Sequence, residues 1–195
     1  MESSVIELFH QSIEAKMAAG EALAPLIAKA SSKTVEQLLQ GHKVLCCGNG
    51  LSASLSNMFT KSLVLQYQLE RPGFPAVCLN NDSTLITAIG HHHSVSEIFS
   101  RQIKTLGQPG DLLVIFSLGT NPSNLVQAIH TAHDRGMSVI GFTGAGDRDL
   151  SALLSGDDIE IRVDHSDRHR ISEVHLLSLF CLCDLIDKQL FGGTY

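Results

Sequence analysis

Two short clusters of glycine, hydroxyl and amide residues carry most of the chemistry legible in this chain. The first is Cys46–Ser52, which reads CCGNGLS. The apolar run Val44–Cys47 predicts a buried strand, and Gly48-Asn49-Gly50 predicts a tight turn, because Gly and Asn tolerate backbone conformations other residues avoid. Ser52, Ala53, Ser54 and Ser56 then lead into a helical pattern. Strand, glycine turn and helix start aim free backbone N–H groups at an anion. A plain tight strand-to-helix connection uses the same residues, and the run is neither a full G-x-G-x-x-G nor a phosphate loop ending in Gly-Lys-Ser/Thr. The second cluster is Ser117-Leu118-Gly119-Thr120-Asn121-Pro122. Ser117, Thr120 and the loop's N–H groups can hold a phosphate or hydroxyls; equally, Thr120 or Asn121 can simply cap the next helix.

The titratable residues are less organised. His91-His92-His93 are consecutive, so three side chains in a loop do not converge on one ion, and solvent exposure or a partner contact suits them better. Glu173 and His175 are two residues apart on a helical pattern and therefore on different faces, with Glu173 the one favoured to face a cleft. Asp164–Arg170 (DHSDRHR) reads as a solvated mixed-charge loop. The five cysteines, Cys46, Cys47, Cys78, Cys181 and Cys183, lie in apolar runs without C-x-x-C spacing, which predicts buried free thiols.

These clusters need a scaffold, and the chain alternates strand-like and helical runs to supply one. Apolar strands are expected at Val44–Cys47, Ala76–Leu79, Asp111–Ser117, Met137–Thr143 and Asp158–Val163, the last alternating like an edge. Helical patterns lie between them, and Arg170–Phe191 is apolar nearly all round, which predicts a central buried helix. The fold class is therefore α/β, a three-layer αβα domain on a five-stranded parallel sheet, with ligands expected at the carboxyl ends of the strands. Two helices precede the first strand, Ser3–Ala30 and Ser32–Gln40; Ser4 and Glu7 suit a capping box, and Ile6, Phe9, Ile13 and Met17 form an apolar stripe. Residues 1–41 form this extension and 42–195 the core of a single domain.

Composition narrows the classes further. With 195 residues, 44% hydrophobic and 17% charged, the chain can bury one core and is not expected to be disordered. A net charge of −6 disfavours direct contact with duplex nucleic acid, so any such role would pass through a protein partner. No apolar run reaches membrane-spanning length, and acidic Glu2 with no apolar run behind it argues against a secretory signal, which predicts a cytoplasmic protein.

The chain resembles the sugar isomerase (SIS) domain family over its whole length, and within it the phosphoheptose isomerase branch. The motifs are CCGNG at Cys46–Gly50, ERPGFPA at Glu70–Ala76, GDLLVIFS at Gly110–Ser117 and DIEIRV at Asp158–Val163. CLCDLID at Cys181–Asp187 is more similar to the DnaA initiator-associating members of the branch, which are not enzymes. The isomerases carry a His and a Glu on the helix after the glycine loop, and a Gln and a His on the last helix; these bind zinc and move protons. The corresponding positions here are Met58, Ser62, Ser172 and Phe180, which cannot replace them in kind. The isomerases' Ser-Thr-Ser-Gly-Asn-Ser loop is Ser117–Pro122 here, and their Asn-Asp pair reads His91-His92.

Taken with these losses, the resemblance implies a homotetramer with no cofactor and no metal, binding the initiator DnaA to promote chromosome replication. It leaves a vestigial phosphosugar cleft at Gly48, Asn49, Gly50, Ser52, Ser117, Thr120 and Glu173. Leu190 and Phe191, two large apolar residues near the end of the chain, either pack under the fold or form the docking patch, which the resemblance favours. The alternative is a sedoheptulose 7-phosphate isomerase or a sugar-phosphate-binding protein.

Overall fold

The structure, a computed structural model, is described for residues 1–154 and 156–192. Strands β1 (Val44–Gly48), β2 (Ala76–Cys78), β3 (Leu112–Phe116), β4 (Ser138–Gly144) and β5 (Ile159–Val163) form one parallel sheet in the order β2-β1-β3-β4-β5. The register pairs Val44 with Ala76 on one side and with Leu112 on the other, and Gly48 with Phe116. Every residue of β1 and β3 is buried, as a parallel strand covered on both faces requires. Alternate side chains divide the core. Val44, Cys46, Val114 and Phe116 face one apolar layer, whereas Leu45, Cys47, Leu113 and Ile115 face the other. β5 alternates buried and half-buried residues, which matches its place at the sheet edge.

Helix α1 (Glu2–Leu39) lies against α7 (Arg168–Phe191) and β5, and α2 (Leu51–Val64) also packs on α7. α3 (Ser83–His92), α4 (Ser100–Leu106), α5 (Ser123–Asp134) and α6 (Arg148–Leu153) complete the two layers. α1 is one helix rather than two. The polar residues at the expected break are absorbed: Thr34 Oγ1 donates to the Ala30 carbonyl (2.8 Å), and buried Ser31 accepts from Gln189 Nε2 on α7 (2.8 Å). Nor does a capping box form, since the helix starts at Glu2 with Met1 as its uncapped first flank. His91 and His92 belong to the last turn of α3 and are helical rather than looped, and His93 follows as its C-cap.

The Glu70–Ala76 segment acts as a clamp. The Arg71 guanidinium donates to Asp187 Oδ1 on α7 (2.8 Å) and to the Ser62 (2.7 Å) and Leu63 (3.0 Å) carbonyls at the end of α2, and it lies 4.3 Å over the Phe74 ring. One buried cation thus satisfies the orphan carbonyls of α2 and fixes that helix to α7.

Candidate functional site

β2 lies on one side of β1 and β3 on the other, so the chain reverses direction across the sheet between β1 and β3. Beyond the carboxyl ends of these strands a crevice must open, because their two loops part in opposite directions. A cavity of about 380 Å³ occupies this place. The β1–α2 loop contributes Asn49, Gly50 and Ser52, the β3–α5 loop Ser117 and Thr120, and the start of α7 Arg168 and His169. Five of the seven expected ligand-binding residues therefore meet in one cleft.

Their roles differ from residue to residue. Gly48 shapes the cleft but does not line it. Its N–H and carbonyl are both engaged by the Asn80 side chain (3.2 and 2.8 Å), and a Cβ there would stand 2.8 Å from that of Ser52, which explains the glycine. Asn49 spends its amide on Asn124 of α5. Gly50 sits at φ 54°, where a side chain would be strained, and turns the chain into α2. Thr120 is exposed in the cleft, whereas Ser117 is buried and donates its hydroxyl to Asp147 (2.7 Å).

Asp147 is one group that the sequence does not reveal, beside Arg168 and His169. It is fully buried where β4 leads into α6, and it also accepts the N–H groups of Gly119, Asn121 and Gly144, each at 2.8 Å. The approach is close enough that a Cβ on Gly146 would lie 2.2 Å from the Gly119 carbonyl oxygen. An acidic residue following Gly144-Ala145-Gly146 was the available signal, but the sequence does not say which amides it would meet.

DHSDRHR is not merely a solvated loop. Asp167 caps α7 through the His169 N–H (2.7 Å), and that bond, with the neighbouring imidazole, holds its carboxyl below the usual range. Asp167 Oδ1 also stands 3.3 Å from His169 Nδ1, so the imidazole at the cleft has a carboxylate to orient it.

Glu173 does not reach the cleft. It faces α1, where it accepts from Ser12 Oγ and pairs with Lys16 (3.6 Å) and Arg170 (2.9 Å). His175 is buried on the sheet side; its Nε2 donates to the Thr143 carbonyl (3.1 Å), its ring meets Phe142 edge-on, and burial pulls its pKa down to about 4.

The positions where the resemblance puts zinc do not fit that ion. Ser62 Oγ donates to the Met58 carbonyl (2.9 Å), and Phe180 stacks on Tyr67 with centroids 6.2 Å apart. A thioether, two hydroxyls and a phenyl ring are not a zinc ligand set. Burial also pushes the Cys183 thiol, behind Ser62, up to about 12, so it is not a thiolate ligand. Among the described residues no cluster of His, Cys, Asp or Glu is placed to hold a metal ion.

Of the two residues expected to form a docking patch, one is half-buried and the other exposed. Leu190 packs against the core layer around α7, and Phe191 is stacked on Phe74 (centroids 6.1 Å apart) and 43% exposed.

A doubly wound parallel sheet with a crevice of amides and hydroxyls at its switch point defines an αβα protein built to hold a small polar or anionic ligand. The SIS domain family model matches residues 8–144, and the chain belongs to that family. It is 47% identical over 193 residues to a phosphoheptose isomerase of Chromohalobacter salexigens, covering 99% of this chain and 98% of that one. A phosphoheptose isomerase of Shewanella pealeana is 46% identical over 183 residues, covering 94% and 93%. The structure of a phosphoheptose isomerase from Francisella tularensis superposes with a TM-score of 0.92 at 39% identity, covering 95% of this chain and 97% of that one.

These relatives overturn the expectation of a non-enzymatic regulator that binds DnaA. Kinship to proteins named phosphoheptose isomerase runs nearly end to end. The expectation leaned on the four substituted positions Met58, Ser62, Ser172 and Phe180 and on one seven-residue motif, Cys181–Asp187. In the structure that motif faces inward at Leu182, Cys183, Ile186 and Asp187, with Asp187 serving the Arg71 clamp.

Proposed function

We propose that the protein is a phosphosugar isomerase of the phosphoheptose type, interconverting the ketose and aldose forms of a heptose phosphate such as sedoheptulose 7-phosphate. The observation that carries the reading is the switch-point cleft, present in a chain that matches phosphoheptose isomerases over nearly its full length. Its volume of about 380 Å³ suits a single small ligand. Ser52 and Thr120 offer hydroxyls to a polyol, and the turn into α2 and Arg168 supply positive potential for a phosphate.

Isomerisation moves a proton between adjacent carbons, which needs a base within reach of both. With Met58, Ser62, Ser172 and Phe180 unable to hold zinc or act as acid and base, no step is routed through a metal. His169 is the imidazole lining the cleft, and Asp167 fixes its Nδ1 side, leaving Nε2 to take and return the proton. A coupled assay on sedoheptulose 7-phosphate tests this. Turnover that falls about a hundredfold or more in His169→Ala supports the assignment, and undiminished turnover in that variant removes His169 from the mechanism.

The exposed apolar residues Val5, Ile6, Phe9, Ile13 and Met17 on α1 support self-association, up to a homotetramer, through that helix. Among the described residues no helix is long and apolar enough to cross a membrane. A cytoplasmic setting is supported by the five cysteines, all free thiols.

A further inference from the structure

The β3–α5 loop already holds an anion of its own. Asp147 Oδ1 accepts from Ser117 Oγ (2.7 Å) and the Asn121 N–H (2.8 Å), and Oδ2 accepts from the Gly119 and Gly144 N–H groups (2.8 Å each). The Ser117 hydroxyl and the Gly119 and Asn121 N–H groups are therefore spent on Asp147, while Thr120 keeps its hydroxyl and its N–H for a ligand. A dianion placed there would also face a fixed carboxylate through a poorly screening interior.

The rest of the cleft is different. The N–H groups of Gly50 and Leu51 donate to no acceptor among the described residues. Arg168 lines the same cavity, is exposed, and makes no hydrogen bond or ion pair among the described residues. Its neighbour Arg170, by contrast, is committed to Glu173 and the Leu8 carbonyl. Arg168 is therefore an uncommitted, permanently charged donor fork at the mouth of the cleft, a geometry that matches phosphate oxygens.

We propose that Arg168 is the specificity-determining residue for the phosphate: the phosphoryl group is received between Arg168 and the start of α2, and the sugar hydroxyls lie toward Thr120. The inference rests on reading the cleft as a phosphosugar site.

Calorimetry on the full-length protein tests it, with sedoheptulose 7-phosphate, unphosphorylated sedoheptulose and inorganic phosphate as probes. Arg168→Gln weakens sedoheptulose 7-phosphate and inorganic phosphate by about tenfold or more, the usual cost of losing a charged hydrogen bond. Arg168→Lys restores part of that loss, and unphosphorylated sedoheptulose binds both variants as it binds the wild type. Wild type and Arg168→Gln binding sedoheptulose 7-phosphate equally would overturn the role of Arg168 while leaving the phosphosugar reading intact. Equal losses for phosphorylated and unphosphorylated sugar also overturn it, because Arg168 would then be shaping the cleft. Wild type that binds none of the probes removes the reading and the inference together.

Discussion

Asn49 and Asn124 face each other across the base of the cleft and exchange two hydrogen bonds, Asn49 Nδ2 to Asn124 Oδ1 (2.8 Å) and Asn124 Nδ2 to Asn49 Oδ1 (2.9 Å). The pair joins the turn after β1 to the first turn of α5, and so fixes the separation of the two loops that form the site. Removing one partner strands the other amide in a part-buried setting. Asn124→Ala is expected to lower stability by about 1–3 kcal/mol, and the Asn49→Ala/Asn124→Ala double variant to cost less than the sum of the singles. Urea unfolding of the four proteins checks this; strict additivity would mean that the two amides are not coupled.

Asp147 is a positioning residue for the opposite loop. Asp147→Ala leaves the Ser117 hydroxyl and three N–H groups unpaired, and is expected to cost about 3 kcal/mol or more. The loss should also reach ligand affinity, since Gly119 and Asn121 hold positive φ angles of 80° and 49° that the carboxylate helps to maintain. Thermal unfolding with and without sedoheptulose 7-phosphate measures both; a midpoint unchanged from wild type refutes the role.

His175 makes stability depend on pH. It is neutral in the fold, donating from Nε2 to Thr143, while Nδ1 is buried with no partner among the described residues. Phe142 covers the ring, and Asp147 is the charged group nearby that favours its protonation. Its folded pKa of about 4 lies below the ordinary 6.5, so the unfolded chain binds the extra proton between these values. Its contribution is fully present above pH 6.5 and is lost as pH falls toward about 4, at up to about 1.4 kcal/mol per pH unit. Denaturant titrations across this window should show the slope in the wild type and a shallower one in His175→Gln, which keeps a donor for Thr143. Equal slopes would assign the acid sensitivity elsewhere.

The Arg71–Asp187 pair carries a structural prediction. Both side chains are almost wholly buried, and removing one leaves the other charge without its partner. Arg71→Met is expected to destabilise by about 3–5 kcal/mol, and Arg71→Met/Asp187→Leu to recover much of that. Chemical unfolding compares them; no recovery in the double variant would mean that the α2 carbonyls, rather than Asp187, dominate.

Much of the scaffold was readable because parallel strands buried on both faces are short apolar runs, and Val44–Cys47 and Leu112–Phe116 are such runs. The glycine turn was readable for the same local reason, since Gly48 and Gly50 answer to steric demands within a few residues. Partnerships across the fold were not. Asn49–Asn124 spans 75 positions and Arg71–Asp187 spans 116, and no local pattern marks either. The break expected near Ser32 in α1 failed because a serine that would cap a free helix is here bonded by a glutamine from α7. DHSDRHR read as solvent-facing by charge alone, yet its Arg168 and His169 stand at the cleft because α7 begins there. The functional reading went astray where four substituted positions and one short motif were weighed above the kinship of the whole chain.

If this cleft moves a proton on a phosphorylated ketose, solvent deuterium must enter the sugar as it reacts. Proton NMR of sedoheptulose 7-phosphate in deuterium oxide, with the purified protein and a chelator present, tests it most directly. Aldose heptose phosphate is expected to form, with solvent deuterium entering at the reacting carbons and both signals suppressed in His169→Ala. Sedoheptulose 7-phosphate that remains unconverted and undeuterated, at concentrations shown by calorimetry to saturate the protein, would contradict it.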